Sequence, residues 1–122
     1  MNTVLEIIIV LFPVTAVPRP PSPPEVCNIK STSCTVKFRR PADNIDAPVT
    51  GYHVQRSAYV LAGDEVEWET VNDAPITDLE LDVDHMTPLS RDQFRVAAEY
   101  SFGMSDFSQP SKPVTTNNSV CI

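Results

Sequence analysis

Glycine and cysteine are both scarce in this sequence, with three of each among 122 residues against twelve prolines. Three cysteines are too few for the disulfide framework that holds small secreted domains together, so we expect an apolar core to hold the fold. Glycine-rich phosphate loops are absent, and so are the serine and histidine spacings of hydrolase and zinc-protease motifs. We therefore expect no enzymatic activity.

Basic residues are also in the minority, with nine Lys and Arg against sixteen Asp and Glu, for a net charge of −7. A surplus of this sign repels phosphate backbones and leaves no basic stripe that could bind them. We expect no nucleic-acid partner. No Cys-x-x-Cys pair or cysteine–histidine cluster offers metal ligands, and no metal, cofactor or small-molecule substrate is expected.

Long hydrophobic runs are absent as well. The longest apolar stretch lies within residues 1–17, contains Glu6 and is too short to span a bilayer, so membrane insertion is not expected. One interpretation is a weak signal peptide with a cleavage site at Val14-Thr15-Ala16, although no Lys or Arg precedes the apolar run. The other is a non-native start or a remnant of a preceding module. The sequence leaves both open.

Prolines are concentrated directly after this stretch, in the run Pro-Arg-Pro-Pro-Ser-Pro-Pro at residues 18–24. Such a run favours an extended polyproline conformation and predicts a semi-rigid linker. The spacing of Pro20 and Pro23 also fits an SH3-type ligand, but plain linkers are the commoner role. We therefore predict a domain at residues 25–116 and a tail at 117–122.

Short segments of alternating apolar residues recur about every ten positions between turn residues, which is typical of an antiparallel sandwich. In one of them Cys34, Val36 and Phe38 point to one side and the intervening residues to the other. Cys27 and Cys121 are expected outside the core. Strands are predicted at 25–30, 34–39, 50–57, 67–71, 79–83, 93–100 and 112–116. The predicted fold is all-β, an immunoglobulin-like seven-stranded antiparallel sandwich.

Residues 20–116 resemble the fibronectin type III family. The similarity lies in the proline-rich start, in the Gly-Tyr-x-Val-x-Arg string at 51–56 and in the Phe-Arg-Val-x-Ala-Glu string at 94–99. These strings, with Trp68 followed by Val71-Asn72, are most similar to modules of the titin, twitchin and myosin-binding muscle proteins. Adhesion receptors carry similar strings. The resemblance implies a non-catalytic module.

Two positions depart from the family pattern. The resemblance implies a buried tryptophan where this sequence has Phe38, and a tyrosine where it has Asp92. Phe38 keeps most of the apolar volume. Asp92 lacks the hydroxyl that would bond back to the preceding turn, so its carboxylate must reach solvent or find a backbone or basic partner. Arg91 points the other way, and we expect reduced stability.

Residues 78–84 alternate carboxylates with apolar side chains and predict a strand with one acidic face. Calcium binding is one interpretation, but carboxylates two residues apart on a strand are about 7 Å apart, too far to converge without a loop. We favour cross-strand ion pairs of Lys37 and Arg39 with Glu80 and Asp82.

Candidate binding residues are few. Phe102, Met104 and Phe107 are apolar side chains in and beside the predicted loop between the last two strands, where they either bind a protein partner or pack over the end of the sandwich. Asn117 begins a glycosylation sequon, which matters only in a secreted chain. His53 and His85 are expected on the surface. We predict a structural spacer and protein-binding module in the cytoplasm, as in muscle filament proteins; the alternative is a secreted or cell-surface adhesion module.

Overall fold

The computed structural model describes residues 18–41, 48–60 and 65–118. The apolar segment 1–17 and Cys121 lie outside the described residues. Eight strands form: β1 (Glu25–Cys27), β2 (Cys34–Lys37), β3 (Val49–Ala58), β4 (Glu69–Thr70), β5 (Glu80–Val83), β6 (Arg91–Tyr100), β7 (Gly103–Met104) and β8 (Val114–Thr115). The described residues include no helix long and apolar enough to cross a membrane.

Two antiparallel sheets form the sandwich. The smaller has the order β1-β2-β5, and the larger has the order β4-β3-β6-β7, with β8 paired to the start of β6. All seven predicted strands are present, and the all-β immunoglobulin-like fold is confirmed. The additional strand β7 lies where a loop was expected. The chain reverses direction after β6, so that Met104 pairs with Glu99 and Gly103 pairs with Tyr100.

The core lies between the inward faces of β2, β3 and β6. Its most buried members include Val36, Val54, Phe94 and Val96, each with no exposed surface. The predicted inward orientation of Cys34, Val36 and Phe38 is confirmed. The Phe38 ring packs 4.9 Å from the Tyr52 ring, centroid to centroid, so a phenyl group occupies the position where the resemblance implies an indole.

The two described cysteines are free thiols in different surroundings. Cys34 is buried, and its thiol donates a hydrogen bond to the Met86 sulfur at 3.6 Å. Burial raises the pKa of the Cys34 thiol to about 11, and the nearby Asp92 carboxylate adds to this shift. Cys27, expected on the outside, is half-buried on β1. No disulfide is available among the described residues to hold the sandwich, which leaves that task to the core.

Strand β5 lies beside β2 as predicted, but the expected ion pairs do not form. Lys37 is opposite Glu80 without an ion pair between the described side chains. The prediction that Arg39 pairs with Asp82 is wrong. The register places Thr35 opposite Asp82, and the Thr35 hydroxyl donates to the Asp82 carboxylate at 2.8 Å.

Asp92 is 9% exposed, and its carboxylate accepts a hydrogen bond from the Ser90 hydroxyl at 3.0 Å. The partner is thus a hydroxyl, where we expected the carboxylate to reach solvent or to find a backbone or basic partner. The turn before β6 is bonded by Thr116, in place of the tyrosine that the resemblance implies. Its hydroxyl donates to the Thr87 carbonyl at 2.6 Å and accepts from the Ser90 backbone N–H at 2.9 Å. The Asn117 backbone N–H then donates to the Lys30 carbonyl at 3.0 Å, so residues beyond β8 tie two turns together.

Candidate functional site

The side chains of β3 and β6 that point away from the core form what we call the outer face. Its residues follow from the pairing of the two strands, in which Gln55 is opposite Arg95 and His53 is opposite Ala97. Because side chains alternate along a strand, these residues lie on the side of the sheet that faces away from the buried Phe94 and Val96. The outer face is therefore positioned by the ten-residue strands at the centre of the larger sheet.

Arg95 is the centre of the outer face. Its guanidinium carbon lies 4.3 Å from the centroid of the Trp68 ring and 4.4 Å from that of Phe107. Its Nε and Nη2 donate to the Gln55 Oε1 at 2.9 and 2.7 Å. We call these four residues the Arg95 stack. Burial between the rings lowers the pKa of Arg95, and no carboxylate of the described residues forms an ion pair with it.

Similar contacts flank the Arg95 stack. The Arg91 guanidinium lies 4.6 Å from the centroid of the Tyr59 ring, which confirms that Arg91 points away from the core. His53 lies on the outer face as expected, with its Nε2 2.6 Å from the Glu99 Oε1. The outer face thus presents aromatic rings stacked on arginine guanidinium groups. Such side chains offer a large contact area and have few torsion angles left to order on binding.

The loop residues singled out in the sequence have separate surroundings. Phe102 is 42% exposed and stacks on Tyr100, with ring centroids 5.4 Å apart. Met104 is 44% exposed and lies opposite Glu99. Phe107 is half-buried and belongs to the Arg95 stack. Phe102 and Phe107 make no ring contact with each other.

Three buried serines place Phe107 over Arg95. Ser105, Ser108 and Ser111 each bond to one residue of β6 in two ways. The serine backbone N–H donates to the carbonyl of that β6 residue, and the serine hydroxyl accepts the backbone N–H of that β6 residue. We call this arrangement the serine ladder. Phe107 lies between its first two members. The Ser-x-x-Ser-x-x-Ser spacing is visible in the sequence but was not recognised as a signal.

Trp68 is placed from the other side of β3. Asn72 substitutes for a strand partner there, accepting the Val54 backbone N–H at 2.8 Å and donating to the Tyr52 carbonyl at 3.1 Å. Gly51 permits this close approach, because a Cβ at that position would lie 2.5 Å from the Pro75 Cβ. The stacking of Trp68 on Arg95 was not predicted, since it depends on pairing across the sheet.

Asn117 of the sequon is exposed, and its side-chain Nδ2 donates to the Ile29 carbonyl at 3.0 Å. His85 is an exposed turn residue with its Nδ1 2.8 Å from the Asp84 carboxylate. The position of His85 agrees with the surface placement expected of it.

The sequence profile of the fibronectin type III domain matches residues 19–114. Contactin-5 of Danio rerio is 34% identical over 109 residues, which cover 83% of this chain and 10% of that protein. The chain thus spans about a tenth of this curated relative's length.

Among solved structures, a crystal structure of titin domains is 29% identical, with a TM-score of 0.71 over 84% of this chain and 33% of that one. A titin module from human cardiac muscle is 26% identical, with a TM-score of 0.69 over 81% of this chain and 92% of that one. The resemblance to muscle-protein modules is confirmed. The family is generally non-catalytic. This chain belongs to the fibronectin type III domain family.

Proposed function

We propose that this chain is a non-catalytic protein-binding and spacing module of a larger modular protein, and that it binds its partners through the outer face. The Arg95 stack is the observation that carries this proposal. Arginine and rigid aromatic side chains contribute most of the binding energy at protein interfaces. The bonds to Gln55 use Nε and Nη2, so the Nη1 donors are available to a partner.

The loop residues Phe102 and Met104 extend this surface in the proposal. Their exposure of 42% and 44% is high for large apolar side chains, and burial against a partner removes that area from water. Met104 lies beside Glu99 on the outer face, which makes it the nearer extension of the Arg95 stack. The partners are proteins, with no nucleic acid, cofactor or small-molecule substrate required.

A filament-associated protein of muscle type, in the cytoplasm, is the setting we favour. The similarity to titin modules and the three strings shared with that class support it. In this setting the proline-rich residues 18–24 space the module at 25–116 from a neighbour. Pro21 and Pro24 are buried, and the Tyr100 hydroxyl donates to the Arg19 carbonyl at 3.2 Å, so the segment also packs on the module.

A secreted or cell-surface adhesion module is the second candidate. It is supported by the 34% identity with Contactin-5. The exposed Asn117 then becomes a glycosylation site. A glycan on Nδ2 leaves one hydrogen on that nitrogen, so the bond to the Ile29 carbonyl is compatible with modification.

The binding surface is tested by capture of proteins from native tissue extract with the immobilised chain, quantified by mass spectrometry. We expect Arg95→Ala to lose, by at least about tenfold, proteins that the unaltered chain retains, because hot-spot truncations cost about 2 kcal/mol or more. Lys112→Ala removes the same charge from an exposed position outside the stack and serves as the matched control. Equal capture by both variants, with both folded, rules out the outer face as the binding surface.

A further inference from the structure

A cleft of about 630 Å³ opens at one corner of the sandwich, where the end of β3 meets the turn before β6. Its walls come from three segments of the chain, and we call it the corner cleft. The residues that define it are Arg56, Ala58, Trp68, Glu69, Ser90 and Asp92. It lies apart from the loop residues Phe102 and Met104 and shares only Trp68 with the Arg95 stack.

Asp92 lines the corner cleft and is largely buried. None of the described Lys, Arg or His side chains forms an ion pair with it. One oxygen accepts the Ser90 hydroxyl. Every fully buried side-chain oxygen or nitrogen of the described residues has a hydrogen-bond partner, so the other Asp92 oxygen, which accepts none, is open to the cleft. Asp92 is 9% exposed and has no ion-pair partner among the described side chains, so an incoming cation would stabilise its carboxylate.

The surroundings of Asp92 are also predominantly acidic. Glu65, Glu67 and Glu69 line the same cleft. Its basic lining consists of Arg56, whose guanidinium already pairs with Glu69 at 2.7 Å, and the exposed His85, which lies beside Asp84. The cleft therefore retains a surplus of negative charge, which matches the net charge of −7 and attracts basic groups over long range.

The shape of the lining selects the kind of cation. Among the described residues, no three acidic, histidine or cysteine side chains converge closely enough to hold a metal ion. Ala58, Val60 and Trp68 instead give the cleft apolar wall area. Lys and Arg side chains combine an apolar stem with a charged head, and they bury the stem while the head meets a carboxylate.

We propose that the corner cleft binds a lysine or arginine side chain from a basic segment of a protein partner, with Asp92 receiving the charged head. The proposal rests on the proposed function to the extent that the partner is a protein. The corner cleft would be a second binding site on the module: it is acidic and binds a cation, whereas the outer face is centred on the cationic Arg95. It lies at the corner where Asp92 replaces the tyrosine implied by the resemblance.

The test uses the full chain and capped glycine peptides that contain one arginine, one lysine or one citrulline. Trp68 is the chain's one tryptophan and lines the cleft, so its indole N–H resonance reports occupancy directly. We expect the arginine and lysine peptides to shift this resonance saturably with a Kd in the millimolar range, and the uncharged citrulline peptide to leave it unchanged. Binding should weaken with added salt.

Asp92→Asn keeps the shape of the side chain and should raise the Kd at least about fivefold. Asp78→Asn removes the same charge from an exposed position outside the cleft and should leave the Kd unchanged. If Asp92→Asn does not fold, Glu67→Gln at the exposed rim replaces it, with an expected increase of about twofold. Equal Kd values for the cleft variants and Asp78→Asn overturn the proposal. The proposed function then still stands if capture remains sensitive to Arg95→Ala, so the two failures are distinguishable.

Discussion

Cys34 couples the protonation of one thiol to the stability of the fold. Its pKa is raised from 9.0 to about 11 in the folded chain, chiefly by burial. Between these values the unfolded chain releases the thiol proton while the folded chain retains it. The stabilisation is therefore complete below pH 9.0 and is lost as the pH rises to about 11. The full loss is on the order of 2–3 kcal/mol.

Urea unfolding of the unaltered chain and of Cys34→Ala across this pH window measures the effect. The variant lacks the titration, so its free energy of unfolding should decline less between the two ends of the window. Tyr52, whose pKa burial also raises, is common to both proteins and cancels in the comparison. Parallel curves would contradict the assignment, as would rapid alkylation of Cys34 in the folded chain.

Single residues were predictable where alternation alone decides their direction. Cys34, Val36 and Phe38 are buried because every second residue of a strand faces the core. The Ser90 partner of Asp92 and the stacking of Trp68 on Arg95 were not predictable in this way. Both contacts depend on how a turn or a neighbouring strand is placed in three dimensions, which the local pattern does not encode.

At the scale of elements, the serine ladder substitutes for regular strand pairing along β6. The serine hydroxyls accept β6 backbone N–H groups that the carbonyls of a regular partner strand would accept. Pro110 and Pro113 lack a backbone N–H and cannot donate to a neighbouring strand. This accounts for the shortness of β8, which covers only Val114–Thr115 of the predicted 112–116.

Ser108→Ala should destabilise the fold by about 1–3 kcal/mol, because it leaves the buried Val96 N–H without its hydroxyl acceptor. Thermal or urea unfolding measures the change. Ser101→Ala, at an exposed turn position, is the matched control and should change stability by less than about 0.5 kcal/mol. Similar losses in the two variants would show that the ladder hydroxyl contributes nothing specific.

The existence of the elements was easier to predict than their ends. β1 stops at Cys27 instead of residue 30, because Asn28 adopts a left-handed backbone conformation with φ of 51° that a strand cannot continue through. β6 begins two residues earlier than predicted, since Arg91 and Asp92 pair with β8. The first of these ends is set by the local backbone conformation and the second by a partner remote in sequence.

On the scale of the whole molecule, the edges of the sandwich differ in charge from the outer face. β4 and β5 are edge strands, and the carboxylates of Glu69 and Asp82 lie in one surface groove between them. Charged edges discourage pairing with the sheet of another molecule. The basic outer-face residues Arg91 and Arg95 do not line this groove.

The setting of the module is a whole-molecule property, and an intact mass with amino-terminal peptide mapping of the native protein tests it. For a filament-associated module we expect no processing near Val17 and no glycan at Asn117. A processed amino terminus together with added glycan mass at Asn117 would contradict that setting and support the cell-surface alternative.

The contacts of Thr116 and Asn117 bear on where this module can be cut for recombinant work. The family profile matches only to residue 114. A fragment truncated there loses the 2%-exposed Thr116, its hydrogen bonds to the turn at Thr87 and Ser90, and the link from Asn117 to Lys30. We therefore expect the smallest autonomous folding unit to extend at least to Asn117, three residues beyond the boundary that sequence matching alone would choose.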